Sequence, residues 1–387
     1  MKDVKIVIGA NYGDEGKGLM TRYFVQEAKE KDKSPIVILY NGSAQRGHTV
    51  NYDPSFHHVY HHFGSGAGDL VPTYFGKYFR INPLEYAREY EELKQCFDIP
   101  QNYCDRNCLV ITPFDMLADQ ITKIWIEQTT GQKSYGTCGM GTWCAYEDRS
   151  LKGRHVYTIQ EYKTVSHIRS MLKETWKQCL EVLYDRGVEI SEIPGSDTIF
   201  SDKARDNAIE HFIQDLKLFF KTTSFAPYTK IWNDFDCHIF EGGAGLGLSY
   251  KYGQNYTTTS YTGLLDPYFS HIKDRKGAFN AEVCYVSRTY LTRHGDGPLE
   301  NELSSSKELN SNIVDPTNEY NKFQGPLRYG LIDRNKLDSR IISDFKTVEE
   351  DPRFYKTFAL THCNEYTIDL PHDYYSDHKC RVYKNDR

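Results

Sequence analysis

The sequence lacks long apolar runs, internal repeats, low-complexity tracts and a clear linker along its 387 residues. A signal peptide or membrane span is therefore not expected, and residues 1–387 are predicted to form a single elaborated domain. The chain also lacks an excess of positive charge, because its 47 Lys and Arg residues are outnumbered by 53 Asp and Glu residues. The net charge of −6 disfavours a nucleic-acid clamp, but it permits a mononucleotide site, which needs only a few local cations.

The ten cysteines follow no disulfide framework, and the pair Cys104 and Cys108 lacks the matching second pair of a zinc site. A zinc site is therefore not expected, and the cysteine usage favours a reduced, cytoplasmic and soluble protein. Hydrophobic residues make up 39% of the chain and aromatic residues 14%, which is enough for a sizeable core.

The elements that are present alternate between strands and helices. Residues 3–10 and 34–42 are predicted to be strands, and residues 18–32 between them have the apolar spacing of an amphipathic helix. This order predicts an α/β fold with a largely parallel central sheet, phosphate-loop-like glycine-rich turns and flanking helices. Further helices are predicted at residues 86–93, 113–127, 161–187 and 201–220, and further strands within residues 236–248, 282–297 and 357–366.

The first glycine-rich turn, residues 9–18, follows a strand and opens a helix, as a phosphate-binding loop does. It departs from the Walker pattern, because Asn11 replaces the first glycine and Gly18 replaces the hydroxyl residue after Lys17. Its backbone N–H groups and Lys17 favour an anion site, whereas Asp14 and Glu15 add negative charge. Asp14 could hold Mg²⁺ or remove a proton from a substrate, and a plain polar surface turn is the alternative.

Histidines and further glycine-rich stretches follow this loop. His48 comes after Gly47 and is either catalytic or structural on this evidence. Four other histidines have a spacing that resembles a metal site, although a strand and a turn are favoured there (His57, His58, His61 and His62). Glycine-rich stretches at residues 134–154, 240–253, 290–298 and 321–333 predict a long groove that grips several anionic groups.

Six motifs occur in the order in which adenylosuccinate synthetases carry them, at residues 13–18, 47–49, 136–148, 240–242, 292–298 and 328–333. The sequence resembles that family over nearly its whole length. The resemblance implies a homodimeric ligase that transfers the γ-phosphate of a nucleoside triphosphate to the 6-oxygen of a purine mononucleotide. The amino group of L-aspartate then displaces this phosphate at C6.

The resemblance also implies roles for single residues. Asp14 would take the N1 proton of the purine and touch Mg²⁺ together with Gly47, His48 would stabilise the transferring group, and Lys17 would neutralise phosphate charge. The other implied contacts are to nucleotide phosphates (Gly13, Glu15, Gly16, Gly18, Gly47 and Thr49), to the purine mononucleotide (Gln45, Thr137, Cys138, Lys152, Ala244 and Thr258), to aspartate and the donor (Gln324 and Arg328), and to the donor base (His362 and Asn364).

Several positions depart from the family pattern. The Lys-x-Asp that reads the guanine of GTP is replaced by His362 and Asn364, and losing the aspartate removes the paired acceptor for guanine. ATP or dATP is therefore expected as the donor. Pro326 stands where an arginine reaches the ribose, which a deoxynucleotide would permit. The family's purine-contacting glutamine is Ala244, a phosphate-binding threonine is Cys138, and the arginine supplied across the dimer is Lys152, which lacks the guanidinium fork.

These departures resemble the viral branch of the family, which acts on dGMP and makes N6-succino-2-amino-2′-deoxyadenylate for 2-aminoadenine DNA. The expected location is then the cytoplasm of the host cell. Asp14 argues for the alternative, ordinary synthesis from IMP and GTP, since some viral members have a serine there. A nucleotide-binding regulator without catalysis is a second alternative. A dehydrogenase is disfavoured, since no G-x-G-x-x-G with a following acidic residue opens the first unit.

Overall fold

A strand, a glycine-rich turn and a helix begin the chain, as the sequence predicts. The computed structural model describes residues 1–133, 137–145, 153–249, 261–313, 323 and 325–385. The strands in these ranges are β1 (Lys2–Gly9), β2 (Pro35–Leu39), β3 (His48–Asp53), β4 (Phe56–Tyr60), β5 (Thr73–Phe75), β6 (Asn102–Cys104), β7 (Thr223–Phe225), β8 (Cys237–Gly245), β9 (Phe279–Arg288), β10 (Leu291–Arg293), β11 (Glu302–Leu303), β12 (Arg328–Gly330), β13 (Phe354–Thr361), β14 (Tyr374–His378) and β15 (Arg381–Lys384).

The predicted helices are confirmed, with ends that shift by a few residues. The α-helices are α1 (Lys17–Glu30), α2 (Pro83–Leu93), α3 (Pro113–Thr130), α4 (Val165–Asp185), α5 (Ser196–Ile199), α6 (Asp202–Thr222), α7 (Tyr228–Asp234), α8 (Leu265–Pro267) and α9 (Arg334–Phe345). Helix α2 begins three residues before the predicted start, because Asn82 caps its N-terminus by accepting from the Glu85 N–H and Pro83 occupies the first turn.

Ten strands form the central sheet in the order β15-β14-β13-β9-β1-β8-β2-β5-β6-β7. Every neighbouring pair is parallel except β14 and β15, so the predicted parallel sheet is confirmed. The carboxyl ends of β1, β8, β9 and β13 therefore lie side by side, and the loops that follow these strands meet at one edge. Two smaller sheets, β3-β4 and β10-β12-β11, stand beside it.

The core lies on both faces of this sheet. Alternate residues of β1 enter opposite sides, with Val4, Ile6 and Ile8 in one buried cluster and Val7 in the other. Because both faces are covered, β1 reads as a continuous apolar run, which is typical of a central parallel strand.

The histidine-rich segment forms β4, which contains His57 and His58 and pairs with β3, and the bend after it, which contains His61 and His62, so the strand-and-turn interpretation is confirmed. Within the described ranges, no group of three or more His, Cys, Asp or Glu side chains is arranged to hold a metal ion. Cys104 and Cys108 are buried free thiols. No helix in the described part of the chain is long and apolar enough to cross a membrane.

Candidate active site

The loop between β1 and α1 is shaped by residues with positive φ. Gly13 has φ 125°, Asp14 φ 56° and Gly16 φ 87°, so three of four successive residues leave the ordinary right-handed regions. A loop of this shape followed by a helix N-terminus presents its backbone N–H groups to an anion, and we call residues 9–18 the anion nest for this reason. Lys17, the first residue of α1, is a buried residue of this nest and brings a positive charge to it.

Glu15 points into the loop. Its buried carboxylate accepts a hydrogen bond from the Asn11 N–H, and its Oε2 lies 3.6 Å from the Lys17 ammonium. Burial raises the pKa of Glu15, and the Lys17 charge opposes that shift. The Glu15 side chain therefore braces the loop, and any contact of this residue with phosphate falls to its backbone.

Asp14 is the carboxylate at the rim of the nest. Its side chain is 21% exposed, and its Oδ2 lies 3.5 Å from His294 Nε2. The Asp14 carbonyl accepts a hydrogen bond from Arg288 Nε, which holds the residue in its left-handed conformation. His294 lies in the 292–298 motif, but the motif letters assign it no role, because position 294 is variable in the T-R-x-G-x-G-P pattern.

His48 lies at the start of β3 and is oriented by Glu241 of β8. His48 Nδ1 and Glu241 Oε1 are 2.6 Å apart, and the imidazole is 5% exposed. The Glu241 carboxylate also accepts from the Ser65 N–H and hydroxyl, and it lies 3.5 Å from Arg46 Nη1. Among the described residues, His48 Nε2 has no hydrogen-bond partner. The second nitrogen is therefore available to a bound group.

The protonation of this pair is set by burial and by its neighbours. Burial lowers the pKa of His48 to about 4, against the opposing pull of Glu241. Burial by itself raises the pKa of Glu241, but Arg46 and His48 outweigh it and lower that pKa to about 2. The pair is therefore a carboxylate and a neutral imidazole at pH 7, with the Nδ1 proton donated to Glu241.

Gly18 explains how α1 and the β3 strand come together. A Cβ at this position would lie 2.8 Å from the Thr49 carbonyl oxygen and 3.1 Å from the His48 carbonyl carbon. The Walker hydroxyl residue is thus excluded by a backbone approach. Thr49 is half-buried, and Gly47, before His48, is exposed.

The predicted mononucleotide loop is anchored to α3. Thr137 donates its hydroxyl to Asp119 Oδ1 at 2.6 Å, and the Gly141 N–H donates to Asp119 Oδ2 at 3.2 Å. Gln45 approaches the same loop, since its Oε1 accepts from the Thr142 hydroxyl at 3.3 Å.

Burial raises the pKa of the Cys138 thiol to about 12, so this side chain stays a neutral thiol. Ala244 is half-buried at the end of β8, while Lys152, Thr258 and Gln324 lie outside the described residues.

The Arg328 side chain is already bound to other residues of the chain. Its guanidinium forms a double hydrogen bond with Glu302, at 2.7 and 2.6 Å, and donates to the carbonyls of Gly295 and Gly297. In this structure Arg328 anchors the loop after β10, and a contact with an aspartate substrate requires an exchange of these partners.

The predicted donor-base residues follow β13, at the expected strand end. His362 has φ 59°, and its Nδ1 lies 2.9 Å from the Thr361 hydroxyl oxygen. Its carbonyl accepts from the Thr289 hydroxyl at 3.1 Å, which ties it to the end of β9. Asn364 is exposed and therefore accessible to a ligand.

The sequence matches a known protein family. The family model described as adenylosuccinate synthetase matches residues 6–342. An adenylosuccinate synthetase of Mesoplasma florum is 25% identical over 335 residues, covering 85% of this chain and 71% of the relative.

Two solved structures resemble this one in fold. The fully ligated adenylosuccinate synthetase of Plasmodium falciparum aligns with a TM-score of 0.66 and 19% identity, covering 93% of this chain and 77% of that one. The cyanophage S-2L succinoaminodeoxyadenylate synthetase, bound to dGMP and dATP, aligns with a TM-score of 0.59 and 15% identity, covering 99% and 95%. Both confirm the α/β fold with its large, mostly parallel sheet.

Proposed function

The chain belongs to the adenylosuccinate synthetase family of carbon–nitrogen ligases, which join aspartate to a purine nucleotide, and we propose that its own acceptor is dGMP. The product is then N6-succino-2-amino-2′-deoxyadenylate, a precursor of 2-aminoadenine for DNA. The proposed phosphate donor is ATP or dATP. We also propose that the protein is a homodimer and that it acts in the cytoplasm. If the chain is viral, this is the cytoplasm of the host cell.

One observation carries the mechanism: Asp14 lies at the rim of an anion nest that also contains Lys17. An amide-like purine oxygen is a poor nucleophile until N1 loses its proton, and Asp14 is the base that accepts it. The 6-oxygen then attacks the γ-phosphorus, and the bond to the leaving diphosphate oxygen breaks. Lys17 and the loop N–H groups neutralise the phosphate charge.

His48 is the group that meets the transferring phosphoryl. Its Nε2 is buried and unpartnered among the described residues, while Nδ1 is held by Glu241 at 2.6 Å. A phosphoryl oxygen that brings negative charge to Nε2 favours the imidazolium, which donates a hydrogen bond to it. Aspartate then attacks C6, and the phosphate departs with the former 6-oxygen.

The residues at the loop fit Mg²⁺. Magnesium in phosphoryl-transfer sites binds one or two carboxylates and the substrate phosphates rather than an all-protein cage. Asp14 supplies a partly exposed carboxylate, and the exposed residue Gly47 supplies a backbone carbonyl, both oxygen donors. When bound, the ion neutralises phosphate charge, and Asp14 would hold it together with Gly47.

Two features favour an adenine donor and a deoxyribose acceptor. The exposed Asn364 offers an amide where the family has an aspartate that reads guanine, and the exposed Pro326 offers no donor to a ribose 2′-hydroxyl. The likeness to the cyanophage enzyme covers nearly the full length of both chains, which supports the same direction. IMP with GTP is the second candidate, favoured by Asp14 and by the name of the Mesoplasma relative.

A substrate matrix tests the proposal. Purified protein with aspartate and Mg²⁺ is given IMP, dIMP, GMP or dGMP against ATP, dATP, GTP or dGTP, and the succinylated product is measured. We expect dGMP with ATP or dATP to be the best pair. A preference for IMP with GTP returns the chain to ordinary adenine nucleotide synthesis. In the same matrix Asn364→Asp should raise GTP use, and no change would remove this residue from the donor site.

A further inference from the structure

The phosphate-binding loop is held from outside through its carbonyl oxygens. Donors from several elements reach five of the six carbonyls between residues 10 and 15 (Arg340 Nε to Ala10 at 3.2 Å, Gly247 N to Asn11 at 2.7 Å, Thr292 Oγ1 to Gly13 at 2.9 Å, Arg288 Nε to Asp14, and Thr361 Oγ1 to Glu15 at 3.0 Å). Because the C=O and N–H of one peptide point in opposite directions, this arrangement turns N–H groups toward the nest.

Arg340 makes the most extensive of these contacts. It lies on the buried side of α9 and is 9% exposed. Besides the Ala10 carbonyl, its Nη2 donates to Asn11 Oδ1 at 2.6 Å and its Nη1 to Glu300 Oε1 at 2.7 Å. The guanidinium carbon also lies 5.6 Å from the centre of the Tyr12 ring. One side chain thus contacts three successive residues of the loop.

Asn11 is the residue through which Arg340 acts. Its Oδ1 accepts from Arg340 and its Nδ2 donates to the Ser287 hydroxyl at 2.8 Å, while its N–H binds Glu15 and its carbonyl accepts from Gly247. The side chain is 1% exposed. A glycine, which the Walker pattern has here, offers no carboxamide for these bonds. The hydrogen bonds of the Asn11 side chain to Arg340 and Ser287 therefore explain why asparagine replaces it.

We propose that Arg340 is a positioning residue for the phosphate-binding loop and that it acts through Asn11. Its bonds fix the Ala10–Asn11 peptide, from which the chain turns into the segment that carries Asp14 and Lys17. Arg340 lies over 320 residues from the loop and outside the six sequence motifs. The inference rests on the proposed function only in taking this loop as the donor-phosphate site.

The experiment compares Arg340→Met, Arg340→Lys, Asn11→Ala and the double variant Arg340→Met/Asn11→Ala with the full-length wild type. Arg334→Met is the matched control, because it removes an arginine from the exposed start of the same helix. Thermal unfolding and circular dichroism first establish the folded fraction. Mg·ATP binding by calorimetry is then measured without acceptor, followed by kcat and the KM for each substrate.

Positioning predicts a specific pattern in the folded fraction. Arg340→Met should weaken Mg·ATP binding and lower kcat about tenfold to a hundredfold while the KM for the purine mononucleotide changes little. Arg340→Lys should recover part of this loss, and the double variant should be no worse than the poorer single one. Arg334→Met should match the wild type.

Other results would overturn the proposal. If Arg340→Met only lowers thermal stability, with normal Mg·ATP binding and kcat per folded molecule, Arg340 is structural. Additive single effects would separate Arg340 from Asn11. If the wild type binds neither Mg·ATP nor Mg·GTP, the loop is not the phosphate site and the proposed function fails with it, and measuring the wild type alone distinguishes this outcome.

Discussion

His48 and Glu241 are 193 residues apart in sequence, yet Nδ1 of the one and Oε1 of the other lie 2.6 Å apart in a buried pair. The contact arises because β8 pairs in parallel with β2, where Leu39 is the register partner of Glu241, and the chain that leaves β2 leads to His48 at the start of β3. It fixes the imidazole with Nε2 directed away from the carboxylate. The proposed contact with the transferring phosphoryl depends on this orientation.

Replacing Glu241 by glutamine should lower kcat by about 10²-fold, because the imidazole loses the acceptor that selects its tautomer. Glu241 also forms a buried ion pair with Arg46, so the loss of its charge should lower the unfolding free energy by about 3–5 kcal/mol. Glu282→Gln is the control, since Glu282 is a buried carboxylate paired with Lys5 at 2.6 Å. A similar fall in kcat for both variants, corrected for folded protein, would argue against a specific role for Glu241.

Asp14→Asn should nearly abolish turnover and leave nucleotide binding measurable, because the amide cannot accept the N1 proton but still fits the loop. Steady-state assays with the best substrate pair and calorimetry with Mg·ATP measure the two effects. Near-normal turnover would remove Asp14 from the role of the base.

Gly18→Ala should reduce activity more than it reduces folding. The new methyl group would meet backbone atoms of Thr49 and His48 at 2.8 and 3.1 Å, so α1 and the β3 strand must move apart. A displacement on the order of 1 Å at a catalytic group can cost about 10²-fold in rate. Glu30→Ala, on the exposed end of the same helix, provides the comparison. Full activity of Gly18→Ala would show that this approach is not needed.

The unfolding free energy should fall as the pH decreases from about 6.5 to 4. Burial lowers the pKa of His48 and of His271 to about 4 and that of His238 to about 3, whereas an unfolded histidine titrates near 6.5. The unfolded chain therefore binds protons first and is favoured by acid, by up to about 3 kcal/mol for each such group.

Urea unfolding at pH 7, 5.5 and 4.5 measures this dependence, and His271→Gln should make the slope shallower. Glu241 adds a loss of stability at lower pH, because its folded pKa of about 2 lies below the usual glutamate value of 4.5, so the unfolded chain binds this proton first. Unchanged stability between pH 7 and 4.5 would contradict the burial of these histidines.

The sequence predicts the elements well because their signals are local. The apolar run of β1 and the periodicity of α1 specify these elements within a few residues of their observed ends. Motif letters likewise place Asp14, Lys17 and His48 in or next to the glycine-rich turns that follow the first two strands. The contacts of Glu241 and Arg340 were beyond reach, because they depend on which distant strand and helix pack beside the loop. For Glu241 the available signals were its place in the motif at residues 240–242 and its charge within the mostly apolar first half of β8.

In the proposed mechanism the purine 6-oxygen itself attacks phosphorus after Asp14 removes the N1 proton. Acceptor nucleotide labelled with ¹⁸O at this position, incubated with aspartate, Mg²⁺ and ATP, tests it directly by mass spectrometry of the released phosphate. We expect one ¹⁸O atom in each phosphate that accompanies succinylated product, and Asp14→Asn should release almost no phosphate. Unlabelled phosphate from the wild type, formed together with succinylated product, would contradict it.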